Sequence, residues 1–139
     1  MKKVLSICLM TSLLGLQFSS CSRKDDEPSL VGTWVSTSAN DKIYVSSILT
    51  LDSNYSMAGQ EIVVTFNADK TYSGWSDKEW DKETGTYSID GKNLVLYANG
   101  DFDSLKYKLT KDEFITINEG YLESDSSRYE IETITYKRK

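Results

Sequence analysis

From Val31 onward, apolar and polar residues alternate at period two in short stretches separated by turn-forming residues, and the lone proline, Pro28, precedes them all. Alternation at this period puts successive side chains on opposite faces of a strand, so the pattern predicts an all-β domain. Strands are expected at Val31–Ser38, Glu61–Phe66, Thr71–Ser76, Gly85–Asp90, Asn93–Ala98, Ser104–Thr110, Glu113–Asn118 and Arg128–Lys137. The β-branched stretch Ile43–Leu51 qualifies as a further strand, but an antiparallel meander closes on itself only with an even count. Residues 39–60 are therefore read as an insertion carrying a strand or helix of its own.

Loop lengths support closure. Successive connections in a meander alternate between the two ends of a barrel. The tight ones, residues 67–70, 91–92 and 111–112, fall at the end where the first strand begins. The long ones, 39–60, 77–84, 99–103 and 119–127, fall opposite and would rim an open mouth. The expected fold is an antiparallel up-and-down meander closing into a small β-barrel of about eight strands over residues 30–139. Alternation assigns inward positions to Ile62, Val64 and Phe66, to Tyr72, to Tyr87 and Ile89, and to Leu94 and Leu96. It continues with Leu105, Tyr107 and Leu109, then Ile115 and Ile117, then Tyr129 and Ile131. A barrel of this size is filled by side chains or holds one small ligand, and the inventory permits either.

The N-terminal segment has another character. Lys2 and Lys3, an apolar run from Val4 to Leu16 and then Gln17-Phe-Ser-Ser-Cys21 read as a lipoprotein signal peptide. The run is shorter than the roughly 20 apolar residues a spanning helix needs. Phe18 stands where the strict cleavage pattern has Leu. The expectation is removal of residues 1–20, acylation of Cys21, and a charged tether over residues 21–29 that is too polar to form a core. This tether resembles the acidic leader by which Bacteroidetes-type bacteria route lipoproteins to the outer face of the outer membrane.

Removing Lys2 and Lys3 takes the formal charge from -5 to -7, and leaves 119 of 139 residues, enough for one domain. So acidic a chain argues against nucleic acid as a partner. Cys8 would leave with the signal and Cys21 would carry lipid, so no thiol remains for a disulfide, metal or nucleophile.

Leu30-Val-Gly-Thr-Trp34, then Val64-Thr-Phe-Asn-Ala-Asp-Lys-Thr-Tyr72 and Gly85-Thr-Tyr-Ser-Ile-Asp-Gly-Lys-Asn-Leu94 together resemble the lipocalin-like domains of bacterial surface lipoproteins. The resemblance covers about residues 30–137 and implies a lipocalin-like barrel. It also implies a structural role at the closed end for Gly32 and Trp34, with a basic residue plugging the barrel over the indole. The last strand ends beside the start of the first, so Lys137 or Arg138 is placed to cap Trp34. Alternatively, Thr135-Tyr-Lys-Arg-Lys139 is a solvated terminus.

The long loops carry Tyr44, Tyr55, Met57, Trp80, Phe102 and Tyr121, the candidate ligand-binding residues. Aromatic side chains on a rim suit a small apolar or amphipathic ligand, although scattered exposed aromatics are ordinary. With no histidine, no remaining thiol and no Gly-rich phosphate loop, the usual bases and nucleophiles are missing, and the chain reads as no enzyme. Glu79, Asp81 and Glu83 alternate with Lys78 and Lys82 and read as a solvated turn. Asn99-Gly-Asp-Phe-Asp103 lacks the ligand ladder of a calcium loop. No metal or other cofactor is implied. Asp103-Ser-Leu105 resembles the short O-glycosylation motif of Bacteroidetes-type exported proteins, with Ser104 as acceptor. The competing expectation is a filled barrel whose acidic loops contact another envelope protein.

Overall fold

The computed structural model describes residues 28–76, 80–122 and 124–139, excluding the side chains of residues 75–81. The signal sequence, Cys21 and most of the tether lie outside the described residues. Strands are β1 (Gly32–Val45), β2 (Ile48–Ser56), β3 (Ile62–Phe66), β4 (Thr71–Ser76) and β5 (Trp80–Asp90). They continue as β6 (Asn93–Ala98), β7 (Asp101–Leu109), β8 (Glu113–Leu122) and β9 (Asp125–Arg138). No helix occurs among the described residues.

β1 organises the sheet. One of its edges pairs antiparallel with β9, from Trp34 opposite Arg138 to Val45 opposite Arg128. The other edge is shared: Gly32–Val35 pair with β3 and Ser38–Val45 with β2. From β3 the strands follow in chain order to β9, which returns to β1. The result is an eight-stranded antiparallel barrel of the lipocalin-like kind, with β2 as one extra strand.

Residues 39–60 are therefore no insertion. They lengthen β1 and supply β2, joined by Ser46 and Ser47, both with left-handed backbone at φ 51° and 68°. Two such residues form the turn whose twist matches that of the flanking strands. The even count survives because β2 continues above β3 along the same edge of β1. The other expected long loops are also shorter than their sequences suggest. Asn99 and Gly100, at φ 54° and 92°, turn β6 directly into β7, while β8 runs on to Leu122 before β9 begins at Asp125. Hairpins of unequal height thus rim the mouth.

At the opposite end the tight turns stand as expected. The Asn67 amide donates to the Thr71 carbonyl at 2.9 Å, and the Thr110 amide to the Glu113 carbonyl at 2.8 Å. The core fills this end. Phe66 lies edge-on to Tyr87 and Phe114, with ring centroids 5.0 and 5.8 Å apart, and Trp34 packs 5.7 Å from Phe114. Such tilted and edge-on arrangements suit the ring quadrupoles.

Two strands run in the opposite phase from that expected. In β8 the buried residues are Phe114 and Thr116, so Ile115 and Ile117 face outward. In β9 Tyr136 is buried with Ile134 packed against the core, so Tyr129 and Ile131 face outward. Phe114 outranks its isoleucine neighbours for the interior because its ring completes the aromatic stack. Ile89 does share the inner face with Leu94, yet it sits beside the turn at Gly91 and stays 45% exposed.

Candidate functional site

Above the aromatic core the barrel is hollow. Phe66, Leu94, Phe114 and Tyr136 floor a cavity of about 520 Å³, walled by Ile62, Val64, Leu96, Leu105 and Ile134. That volume falls within the roughly 300–1,000 Å³ of small-molecule sites, and the lining is mainly apolar as in such sites. Gly74 on β4 helps to keep it open, because it lines the cavity and puts no side chain into it.

Polar groups enter at defined heights. Near the floor, Tyr136 is held by the aromatic stack, and burial pushes its hydroxyl up to about 12 although the Thr116 hydroxyl beside it acts the other way. Higher up, the Tyr72 hydroxyl donates to Glu83. Burial first, then this carboxylate and Asp103, raise the Tyr72 pKa. Glu83 thus lines the cavity from β5, so it is an exposed strand residue and not, as expected, part of a turn. The inward sequence Glu83, Gly85, Tyr87 was the available signal.

The mouth is acidic. Glu132 on β9 lines the cavity and continues, with Glu130 and Asp41, into a shelf between the β1–β2 and β8–β9 hairpins. Partial desolvation by the surrounding walls and repulsion from Asp41 and Glu130 raise the Glu132 pKa. Arg128 bridges Glu130 at 2.7 Å, and the Tyr55 hydroxyl donates to Asp41 at 3.1 Å. On β7, Asp103 lies opposite Leu96 in register and shares its inward face. The shifted phase of β9 is why its two glutamates were missed: placing Tyr129 and Ile131 inward turned Glu130 and Glu132 out.

The six expected ligand-binding residues divide. Tyr55 and Met57 line the cavity near its mouth. Tyr44 and Tyr121 lie on the outer face of the tall hairpins, each stacked against Tyr129, at 6.5 and 5.0 Å, beside Ser46, Ser47 and Ser127. Phe102 pairs with Tyr97 on the outer face and is 69% exposed. The strand phases thus direct Tyr44, Tyr121 and Phe102 away from the cavity. The Trp80 side chain lies outside the described residues.

The closed-end residues Gly32, Trp34 and Arg138 come together at the base. The Trp34 indole is fully buried and donates to the Leu30 carbonyl at 2.8 Å, while the Arg138 guanidinium covers its face. Among the described residues, no group of three or more acidic or thiol side chains is placed to hold a metal ion. No family model matches the chain, and no curated protein is significantly similar to it.

Proposed function

We propose that this protein is a lipid-anchored cell-envelope binder that holds a small apolar or amphipathic molecule in its barrel. The observation that carries the reading is the 520 Å³ cavity, apolar below and polar at its rim, standing over a closed and fully packed base. A filled barrel would have carried the competing reading. The polar residues at the rim orient a ligand whose apolar body lies below, the usual division of labour in a small-molecule pocket. Cys21 supplies the anchor in this reading. The tether then joins at the closed end, so the mouth points away from the membrane of a bacterial outer surface. No catalytic group is assigned, and the resemblance to lipocalin-like lipoproteins agrees with carriage or capture rather than chemistry.

One observation favours a second reading, contact with another envelope protein. β2 ends the sheet order, and Ile48, Leu49 and Leu51 on it are exposed. Apolar edge strands invite pairing with another chain.

The test is native mass spectrometry of residues 22–139 after exposure to an extract of the parent membrane and its medium. A stoichiometric small-molecule adduct, lost when Gly74→Phe obstructs the cavity, supports the proposal. A reproducibly empty protein overturns it in favour of the interaction module.

A further inference from the structure

The cavity has walls that do not discriminate among apolar chains and a mouth whose charge does. Five carboxylates from four strands face it: Asp41 on β1, Glu83 on β5, Asp103 on β7, and Glu130 and Glu132 on β9. The nearby cations are already engaged. Arg128 bridges Glu130 at 2.7 Å, and Lys42 reaches Asp52 at 3.5 Å. Asp41 and Glu83 each accept one tyrosine hydroxyl, which leaves their charge in place. Glu132, where the cavity opens into the shelf, has neither a hydrogen bond nor an ion pair among the described residues.

An occupant with its apolar part against Leu96, Leu105 and Ile134 brings its head group to this level. A fatty-acid carboxylate placed there meets like charges in a partly desolvated site. An ammonium meets Glu132 without displacing any existing partner. We propose that the cavity selects amphiphiles with a cationic, amine-type head, Glu132 and Glu83 being the groups that recognise it. This inference rests on the cavity being a ligand site, and it adds the chemistry of the head group.

Three probes of equal chain length separate the two ideas: dodecylamine, dodecanol and dodecanoate, titrated calorimetrically below their aggregation limits. The amine binds roughly 10- to 100-fold more tightly than the alcohol, the range a charge-assisted hydrogen bond supports, and dodecanoate binds most weakly. Glu132→Gln with Glu83→Gln collapses the difference between amine and alcohol. Gly74→Phe, or Leu96→Phe should the first variant fail to fold, weakens all three. Equal binding of amine and alcohol by the wild-type protein overturns the head-group inference and leaves the pocket. Survival of the preference in the double variant, or of amine binding in the obstructed cavity, also overturns it. Failure of all three probes to bind removes the pocket reading with it.

Discussion

The guanidinium of Arg138 lies 4.2 Å from the centroid of the Trp34 indole ring and seals the base of the barrel from below. It also donates to three backbone carbonyls, of Ser29 at 2.7 Å, Val31 at 2.9 Å and Lys111 at 3.2 Å. One side chain therefore ties the entry of β1 to the β7–β8 turn. Trp34→Ala is expected to cost about 3–5 kcal/mol by leaving a cavity beside Phe114. Arg138→Ala is expected to cost about 1–2 kcal/mol through the lost cation–π contact and carbonyl bonds. Arg138→Lys should recover only part of this, because an ammonium lacks the planar fork that spans the three carbonyls. Urea unfolding of the three variants checks the order.

Two glycines on facing strands make opposite demands. A Cβ at Gly85 would stand 1.9 Å from the Tyr97 carbonyl oxygen and 2.9 Å from a Tyr72 ring carbon, and the first of these is backbone that cannot rotate away. A Cβ at Gly74 meets nothing nearer than the Val63 carbonyl at 4.0 Å. Gly85→Ala should therefore destabilise by about 1–3 kcal/mol, as overpacking does. Gly74→Ala should be neutral or gain about 0.4–1 kcal/mol from the stiffer unfolded chain. Equal effects in denaturant titrations would mean that β5 and β6 are not in this close contact.

Much of this fold was legible because Phe66, Tyr72 and Tyr87 are each flanked by polar neighbours. Glu113-Phe-Ile-Thr-Ile117 does not alternate cleanly: apolar or β-branched residues stand on both faces, and only the ring stack around Phe114 fixes the phase. The hairpin at Ser46-Ser47 was hidden for a different reason. Serine carries no Asn-Gly signal, and its left-handed backbone is imposed by the pairing of β1 with β2. The cavity itself depends on how far the side chains reach across the barrel, which alternation does not encode. Its acidic mouth was obscured by the one-residue phase error in β9, since a shift of one residue moves every side chain to the other face.

The anchor is testable apart from the barrel. Cys21→Ser should move the protein from the membrane fraction to the soluble fraction and abolish its labelling by a fatty-acid analogue. The released Cys21→Ser protein should unfold thermally as residues 22–139 alone do. Membrane association that persists in Cys21→Ser would require another attachment, for which the outer tyrosines Tyr44, Tyr121 and Tyr129 are the place to look.

Glu132 makes the stability of the barrel depend on pH. Its folded-state pKa is raised, first by partial desolvation and then by Asp41 and Glu130, with Arg128 offsetting part of the Glu130 charge. A carboxyl whose pKa is higher folded than unfolded holds its proton more tightly in the native state. Its contribution therefore favours folding as pH falls through the raised value and opposes it as pH rises. Glu132→Gln, neutral throughout, should raise the melting temperature at neutral pH, and the gain should shrink as the solution is acidified into the carboxylate range. Added salt should also reduce it by screening the exposed charges at the mouth. A variant that melts lower than wild type at neutral pH, or whose gain does not vary with pH, would mean that Glu132 has a stabilising partner in the folded protein. The expected result instead describes a residue whose unfavourable charge is retained at the mouth of the barrel.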